Sequence, residues 1–350
     1  MGFHMVKPKI STMNDLSKAI GVSRPTLARY FEDEKAVLPS TARKIKDGLA
    51  KVDYVYNFLA TRQNRKSTGL IGVVVPHFED LFYASLLESI EAAASAAGFT
   101  MITQSSHGDP FSQEQAMRKL RSMSVDGAIV APLAAQGHHE IFLAAGADFP
   151  IVFVDARPPQ PLSGSDFIGT RNTQSIGIMV DYLCRTGPPP VFLAMPLLNS
   201  NALERREAYV QQMHQRGLPE QIMDVPGDAS SWQFERYGFE VMDAHLAQGR
   251  YVDATILCAN DRIAIGAIRA ANMHGLFARG TGVGSQLRIA GHDDHPLSRY
   301  IFPALTTVAQ QVAGLAGDAV GTLLKRIEHG QDGKPIVLLR DGVLKLRESA

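Results

Sequence analysis

The sequence predicts an α/β protein with a small helical head and a larger body of two doubly wound parallel-sheet lobes. From Gly69 onward, apolar strand-like runs alternate with amphipathic helix-like stretches, which is typical of parallel sheets buried on both faces. A break rich in Pro, Gly and Ser at residues 157–165 divides the alternation into two series. This division favours two lobes, and a single closed barrel is the alternative fold.

The head begins with the segment TMNDLSKAIGVSRPTLARYF at residues 12–31, which predicts two short helices joined by a glycine turn. Thr12 and Ser23 are suited to cap the two helices, and Gly21 supplies the turn. Pro25 is tolerated in the first turn of the second helix because its missing N–H has no helical partner there. The predicted small shared core consists of Leu16, Ala19, Ile20, Val22 and Leu27.

The second helix would leave Arg24, Pro25, Thr26 and Arg29 facing outward. In a helix-turn-helix, the start of the second helix enters the major groove, where an arginine fork matches the two acceptors of a guanine edge. Arg24 is therefore the predicted base reader, and Arg29 is predicted to reach a base or a phosphate. The alternative is a helical hairpin with a merely basic surface.

The charge distribution favours nucleic acid as a partner of the head. The chain is neutral, with 35 basic and 35 acidic residues, but residues 1–66 hold 13 Lys and Arg against 6 Asp and Glu. Residues 67–350 hold 22 Lys and Arg against 29 Asp and Glu, so the net charge is +7 for residues 1–66 and −7 for the rest of the chain. A basic head gains from counterion release on phosphates, whereas an acidic body is repelled. We expect the head alone to contact DNA.

Other signals narrow the class of protein. With 45% hydrophobic residues, no run of membrane-span length and no signal peptide, the chain is expected to be cytoplasmic and to have no membrane partner. The two cysteines, Cys184 and Cys258, are interpreted as small core residues. The HDDH segment at residues 292–295 is not expected to bind a metal. Without GxxxxGK, GxSxG or HExxH, we predict no catalytic residue, no metal ligand and no cofactor.

A linker at residues 51–68 connects head and body, and one or two helical turns could begin at Asn57. So short a helix is marginal by itself. One interpretation is a segment that becomes ordered on DNA, and the other is an ordinary charged linker.

In the body, the first series predicts strands at residues 70–75, 100–103, 128–131 and 151–154, and helices at 82–97, 112–123 and 138–145. The second series predicts strands at 191–194, 254–258 and 288–290, and helices at 174–185, 202–216, 234–248 and 262–274. Ligands of open parallel sheets bind beyond the carboxyl ends of the strands. The polar positions at these ends are residues 76–83 and 104–109, Asp155 with Arg157, Asn260 with Asp261, and Asp293 with Asp294.

Carboxylates, an amide and guanidinium groups converging in a cleft suit a ligand rich in hydroxyl groups. Phe82, Tyr83 or Trp232 could cover the apolar face of a sugar. Purely structural roles are the alternatives: Asp261 could cap a helix, Phe82 could belong to the core and Asp293 could close a turn.

In this order of head, linker and body, the chain resembles the lactose repressor family of bacterial transcription regulators over essentially its whole length. The motifs that carry the resemblance are LSKAIGVSRPTLARYF, YVYNFLATRQNRKSTGLIGVVVP, DLFYASLLESIEAAASAAGF, VDGAIVAP, IVFVDAR, ANDRIAIGAIRA, IAGHDD and PALTTVAQ. The resemblance implies a periplasmic-binding-protein-like body. It also implies a homodimer, or a tetramer, that binds a pseudo-palindromic operator in double-stranded DNA, and a small-molecule effector, a sugar or polyol, that changes operator affinity.

Carried over position by position, the resemblance implies DNA contacts at Thr12, Ser23, Arg24, Pro25, Thr26, Ala28, Arg29, Tyr54, Asn57 and Ala60. It implies effector contacts at Phe82, Tyr83, Asp155, Arg157, Arg205, Trp232, Asn260, Asp293 and Gln310. The implied domains are a helix-turn-helix domain at residues 6–56, a hinge at 57–68 and an effector-binding and dimerisation domain at 69–347. Within that domain the first lobe takes residues 69–168 and 311–330, and the second takes 169–309 and 333–347.

The sequence therefore predicts a sequence-specific transcriptional regulator, a repressor, controlled by a small polar metabolite bound between the lobes. The alternative from a different class is a cytosolic solute-binding sensor or a carbohydrate-processing enzyme whose head binds protein.

Overall fold

The computed structural model describes residues 7–32, 34–54, 67–133, 139–158, 162–223, 232–277, 287–330 and 333–350. The chain divides into two compact units, Met1–Thr68 and Gly69–Ala350. The predicted helix-turn-helix belongs to the first unit, and the predicted lobes belong to the second.

The head contains the helices Met13–Ile20, Arg24–Glu32 and Pro39–Leu49, a 3₁₀ turn at Glu34–Ala36, and the short parallel strands Lys9–Ile10 and Asp53–Tyr54. The first helix begins where predicted because Thr12 Oγ1 accepts a hydrogen bond from the backbone N–H of Asp15 at 3.1 Å. It ends at Gly21, whose φ of 67° lies in the left-handed region that glycine adopts without penalty.

The core of the head differs from the prediction at one position. Leu16, Ile20 and Leu27 are buried as predicted, and Val22 packs against them, but Ala19 is exposed. The third helix, which the sequence pattern did not include, contributes the fully buried Ile45. Packing against this helix centres the buried face of the first helix on Leu16 and Ile20, so Ala19 falls outside it.

Replacing Thr12 by alanine should destabilise the first helix of the head by about 1 kcal/mol, because a backbone N–H loses its cap. Hydrogen exchange of the amides of Met13–Ile20 in the full chain would measure this as a lower free energy of opening. Ser11→Ala, a change at the exposed neighbouring position, serves as the control and should leave that value unchanged. Equal effects of the two changes would contradict the capping role.

The body contains two parallel sheets among its described residues. In spatial order, the first sheet consists of Val337–Arg340, Asp166–Thr170, Ile151–Val154, Gly127–Val130, Leu70–Val75 and Thr100–Ser105. The second sheet consists of Arg288–Ala290, Thr255–Cys258, Val191–Leu193 and Ile222–Met223. An antiparallel pair, Thr307–Ala309 with Val343–Lys345, accompanies them. Two separate open sheets confirm the predicted doubly wound lobes and exclude the closed barrel.

Helices connect and cover these sheets. Those of the first lobe are Leu81–Ala96, Pro110–Ser122, Glu140–Gly146 and Val312–His329. Those of the second lobe are Asn172–Thr186, Ser200–Gln215, Phe234–Leu246 and Asp261–Met273. Short 3₁₀ turns lie at Leu162–Gly164 and Pro296–Arg299. Buried residues of both lobes belong to one hydrophobic core cluster, among them Ile71, Ile129 and Val152 in the first sheet and Leu257 in the second.

The path of the C-terminal segment differs from the expected lobe boundaries. Residues 333–347 were expected in the second lobe, but Val337–Arg340 pairs with Asp166–Thr170 in the first sheet. This strand covers an edge whose backbone groups would otherwise be unpaired. The chain therefore passes between the lobes near Arg171, near Gln311 and again near Asp341.

Two helices of the second lobe approach each other unusually closely. A Cβ on Gly266 would lie 2.0 Å from the carbonyl oxygen of Glu235, and a Cβ on Gly238 would lie 2.2 Å from that of Ile263. Only glycine permits this approach. It brings the N-terminal ends of Phe234–Leu246 and Asp261–Met273 together at the edge of the sheet where the candidate site lies.

Candidate functional site

The candidate site lies beyond the carboxyl ends of strands from both sheets. Asp155 directly follows Ile151–Val154, Asn260 comes two residues after Thr255–Cys258, and Asp293 comes three residues after Arg288–Ala290. This is the location expected for ligands of open parallel sheets.

A cavity of ≈ 40 Å³ lies here between the two lobes. It is lined by Asp80, Phe82, Tyr83, Asp155, Met195, Asn199, Asn201, Arg205, Trp232, Phe234, Asn260, Arg262, Asp293, His295 and Gln310. The structure thus brings together eight of the nine predicted effector residues. Arg157 is outside the lining, since its guanidinium pairs with Glu204 at 2.9 Å and lies over the ring of Phe167.

The cavity is small because side chains of the two lobes contact each other across it. Arg262 Nη1 of the second lobe donates to Asp80 Oδ2 of the first at 3.0 Å. Asn201 Nδ2 of the second lobe donates to Asp155 Oδ1 of the first at 3.2 Å. A space of ≈ 40 Å³ holds only a few water molecules, so a larger ligand must replace these contacts as the lobes part.

Arg205 and Asp293 form the electrostatic centre of the site. Arg205 is 3% exposed, and it donates to Asp293 Oδ1 at 3.0 Å, to the carbonyl oxygen of Ala259 at 2.8 Å and to Asn172 Oδ1 at 3.2 Å. Gln310 Nε2 donates to the same Asp293 oxygen at 2.8 Å. These contacts satisfy a buried charge pair that would otherwise be costly.

The protonation states follow from this network. Burial works to raise the pKa of Asp293, but the Arg205 guanidinium and the hydrogen bonds from His292 and Gln310 lower it to about 2. Burial, together with nearby Arg205, lowers the pKa of His292 to about 4. His292 is therefore neutral at physiological pH, with Nδ1 2.8 Å from Asp293 Oδ1 and Nε2 2.8 Å from Ser175 Oγ.

Asp155 is another buried carboxyl group of the cavity. It accepts hydrogen bonds from the Tyr83 hydroxyl at 2.9 Å and from Asn201 Nδ2 at 3.2 Å. Burial raises the pKa of Asp155 to about 7, because it outweighs the lowering by Arg205 and by the two hydrogen bonds. Burial also raises the pKa of Tyr83. Asp155 can therefore change its protonation state near neutral pH.

The raised pKa of Asp155 predicts a pH-dependent contribution to stability. Between its unfolded value of about 3.9 and its folded value of about 7, the folded state holds a proton that the unfolded state has lost. Relative to Asp155→Asn, the wild-type free energy of unfolding should therefore fall as the pH rises through this window. Urea unfolding of both proteins between pH 4 and 7.5 would measure this difference. A difference that rises with pH would contradict the shift.

The backbone at these carboxylates is strained. Asp155 has a φ of 66°, Asp293 of 122° and Asp294 of 53°, all in the region that L residues avoid. Non-glycine residues in such conformations cluster at ligand clamps and active sites, where surrounding contacts hold them in place. Asp294 is held by the guanidinium of Arg347, and its backbone N–H is 3.4 Å from Thr307 Oγ1.

Arg262 organises the aromatic side of the cavity. Its Nε and Nη2 donate to the two carboxylate oxygens of Glu235 at 2.6 and 2.7 Å, and Nη2 also donates to the carbonyl oxygen of Trp232 at 3.1 Å. The guanidinium lies 5.2 Å from the ring centroid of Phe234. Trp232 in turn contacts the rings of Phe234 and Tyr83, with centroids 5.4 and 6.4 Å apart.

Sequence reasoning missed several residues of the cavity. Asn199 and Asn201 follow the strand Val191–Leu193, so the strand-end rule applied to that strand would have found them. Asn260 caps the next helix by accepting from the N–H of Ile263. Asp261, proposed as the alternative cap, instead accepts hydrogen bonds from Ser298, Thr307 and the N–H of His295.

The predicted DNA-binding residues are largely on the surface of the head. Thr12, Ser23, Arg24, Pro25 and Arg29 are exposed, and Thr26, Ala28 and Tyr54 are half-buried. Tyr54 packs against Phe31, with ring centroids 5.9 Å apart. Asn57 and Ala60 lie outside the described residues. The exposed start of the helix Arg24–Glu32 carries the predicted base reader, and this residue is free of the head's core.

Neither a metal site nor a membrane span is found in the part of the chain that the structure describes. No cluster of His, Cys, Asp or Glu side chains there is arranged to hold a metal ion. None of its helices combines the length and the apolar character required to traverse a bilayer.

A helix-turn-helix with an exposed basic recognition helix, and a polar cleft between two doubly wound lobes, define a class of DNA-binding proteins that carry a small-molecule sensor. Residues 68–338 match the family described as periplasmic binding proteins and sugar binding domain of the LacI family, and the chain belongs to this family. The resemblance stated from the motifs is confirmed.

Comparisons over the whole chain agree with this assignment. The HTH-type transcriptional repressor PurR of Histophilus somni is 25% identical over 344 residues, which cover 96% of this chain and 98% of PurR. The Lac repressor bound to ONPG in the repressed state has a TM-score of 0.80 at 23% identity, covering 98% of this chain and 100% of that one. The Lac repressor dimer bound to operator and the anti-inducer ONPF has a TM-score of 0.79 at 22% identity, and the match covers 98% of this chain and 99% of that one.

The predicted class, a DNA-binding transcriptional regulator with an effector-binding body, is thereby confirmed. The curated relatives named PurR and the Lac repressor are transcriptional repressors, not enzymes.

Proposed function

We propose that this regulator is a repressor that binds a pseudo-palindromic operator as a homodimer, and that an uncharged, hydroxyl-rich metabolite in the cleft controls its operator affinity. The observation that carries the proposal is the cleft itself, in which paired polar side chains from both lobes surround a small cavity. The Lac repressor dimer bound to operator, which has the same fold, supports the dimeric arrangement on DNA.

The charges of the cleft favour a neutral ligand. Its two guanidinium groups are already paired, Arg205 with Asp293, and Arg262 with Asp80 and Glu235. A phosphate or carboxylate on the ligand would therefore meet carboxylates instead of an available cation. Sugar hydroxyl groups both donate and accept, so they can replace the hydrogen bond that Asn201 now donates to Asp155 across the cleft.

The aromatic side of the cleft fits the same class of ligand. Trp232 and Phe82 line the cavity together with polar groups, and a sugar ring presents one apolar face and a rim of hydroxyl groups. We infer that Arg205 and Asp293 orient the hydroxyl groups while Trp232 covers the ring.

Control of DNA binding follows from closure of the lobes. The contacts Arg262–Asp80 and Asn201–Asp155 join the lobes only when the cleft is closed. A ligand that replaces them changes the relative free energy of open and closed arrangements. Operator affinity then changes by no more than the ligand's differential affinity for those arrangements.

The test is operator binding in the presence of matched neutral and anionic ligands. Genomic fragments selected by the purified full-length protein would supply the operator, and fluorescence anisotropy would measure its affinity. We expect a neutral sugar or polyol to change operator affinity by about 5–150-fold, the usual range of allosteric coupling. Its phosphorylated counterpart should have no effect.

Selection of no palindromic fragment would contradict the operator-binding part of the proposal. A response to anionic metabolites alone would contradict the proposed effector class.

A further inference from the structure

One contact between the two lobes depends on packing alone. The Trp232 indole of the second lobe lies against the backbone of Gly108 in the first lobe, with its ring centroid 5.5 Å from that of His77. A Cβ on Gly108 would lie 2.1 Å from Trp232 Cδ1 and 2.3 Å from Trp232 Nε1. The indole therefore fills the space that any side chain at position 108 would need.

The backbone around Gly108 is held in place on both sides. The N–H of Ser106 donates to the carbonyl oxygen of Val75 at 2.9 Å, and the N–H of Asp109 donates to that of Ser106 at 2.9 Å. The Asp109 carboxylate caps the next helix by accepting from the N–H of Ser112 at 2.7 Å. The loop therefore has little freedom to move away from the indole.

The contact combines a favourable and an unfavourable contribution to closure of the cleft. Trp232 is 9% exposed, and its packing favours the closed arrangement. However, no described residue accepts a hydrogen bond from its buried Nε1–H. This donor regains a partner, water, when the lobes part, so closure carries an opposing cost. Two opposing contributions at one contact make the closed arrangement easy to release.

We propose that Gly108 and Trp232 form a steric latch, in which the indole of one lobe seats on the bare backbone of the other and a side chain at position 108 keeps the lobes apart. The latch concerns closure of the body. Only its consequence for operator binding rests on the proposed function.

That consequence is a variant that behaves as if an effector were bound. Gly108→Ala parts the lobes in the effector-free protein, as a ligand too large for the cavity of ≈ 40 Å³ does in the wild-type protein. Without any ligand, we expect its operator affinity to differ from the wild-type value by about 5–150-fold, the usual range of allosteric coupling. Fluorescence anisotropy with the selected operator would measure this difference.

The latch itself is tested without operator or effector. The chain contains one tryptophan, so acrylamide quenching of the intrinsic fluorescence of the full-length protein reports the exposure of Trp232. We expect Gly108→Ala to raise the quenching constant several-fold. A crystal structure of the variant should also show that the 3.0 Å contact between Arg262 and Asp80 is broken.

Gly98→Ala is the matched control for the backbone. Gly98 has a φ of 80°, in the same left-handed region as the 66° of Gly108, but a Cβ there would meet nothing within 4 Å. Gly98→Ala therefore imposes a similar backbone strain without a contact across the cleft, and quenching should stay at the wild-type value.

The outcomes separate the latch from the function proposed above. If Gly108→Ala and Gly98→Ala are quenched alike, the latch is refuted and the proposed function stands. The latch is also refuted if the indole turns into the neighbouring cavity of ≈ 310 Å³ while Arg262 and Asp80 stay in contact. If the lobes part but operator affinity does not change, the latch stands, and the proposed control of operator binding by lobe closure is refuted.

Discussion

Replacing Arg205 by alanine is expected to lower the free energy of unfolding of the body by about 3–5 kcal/mol and to abolish the response to effector. Arg205 is 3% exposed, and it neutralises Asp293 while satisfying the carbonyl oxygen of Ala259. Its removal leaves a buried carboxylate without its cation. Urea unfolding would measure the loss of stability, and operator anisotropy would measure the loss of response.

Two further variants make this result interpretable. Arg236→Ala removes a guanidinium that is 71% exposed and paired with Glu240, so the free energy of unfolding should stay nearly unchanged. Arg205→Leu combined with Asp293→Leu removes both charges together, and it should be more stable than Arg205→Ala. If Arg205→Ala lowers the free energy of unfolding no more than Arg236→Ala does, the pair of Arg205 and Asp293 does not stabilise the site.

Replacing Arg24 by alanine is expected to weaken operator binding by about 1–3 kcal/mol and to leave binding to random duplex almost unchanged. Arg24 is exposed at the start of the second head helix, where a guanidinium fork can reach a guanine edge. Anisotropy with selected operator and with a random duplex of equal length would measure both affinities at one salt concentration.

Arg43→Ala is the matched control for Arg24→Ala, because it removes the same charge elsewhere in the head. Arg43 is exposed on the helix Pro39–Leu49, and Arg43→Ala should affect operator and random duplex alike. Equal losses on the two duplexes for Arg24→Ala would assign Arg24 to the phosphate backbone instead of the bases.

Much of the body could be predicted because its strands are continuous apolar runs. The predicted bounds of Leu70–Val75, Ile151–Val154 and Arg288–Ala290 agree with the structure to the residue. Asp166–Thr170 was missed because it begins with an acidic residue, contains a glycine and adjoins the Pro-rich break. Its burial depends on a distant residue, since Arg326 binds both carboxylate oxygens of Asp166 at 2.7 and 2.8 Å.

The position of the site could be predicted from the sequence, but the ion pairs and hydrogen bonds between its side chains could not. The strand-end rule located Asp155, Asn260 and Asp293, because the end of a strand is a local property of the sequence. Arg205 and Gln310 were predicted as effector contacts from the family resemblance alone. The ion pair between Asp80 and Arg262 joins residues 182 apart, so it exists only because the two lobes fold against each other. No local pattern encodes such a contact.

The three passages of the chain between the lobes are tied to one another. Gln174 exchanges hydrogen bonds with the backbone of Gly342 at 2.7 and 3.2 Å, Arg171 pairs with Asp341 at 2.8 Å, and Gln311 Nε2 donates to the carbonyl oxygen of Asp341 at 2.9 Å. Three crossing segments that are bonded to one another restrict how the lobes can move apart. We therefore expect ligands of different shape to act on the protein through the angle between the lobes.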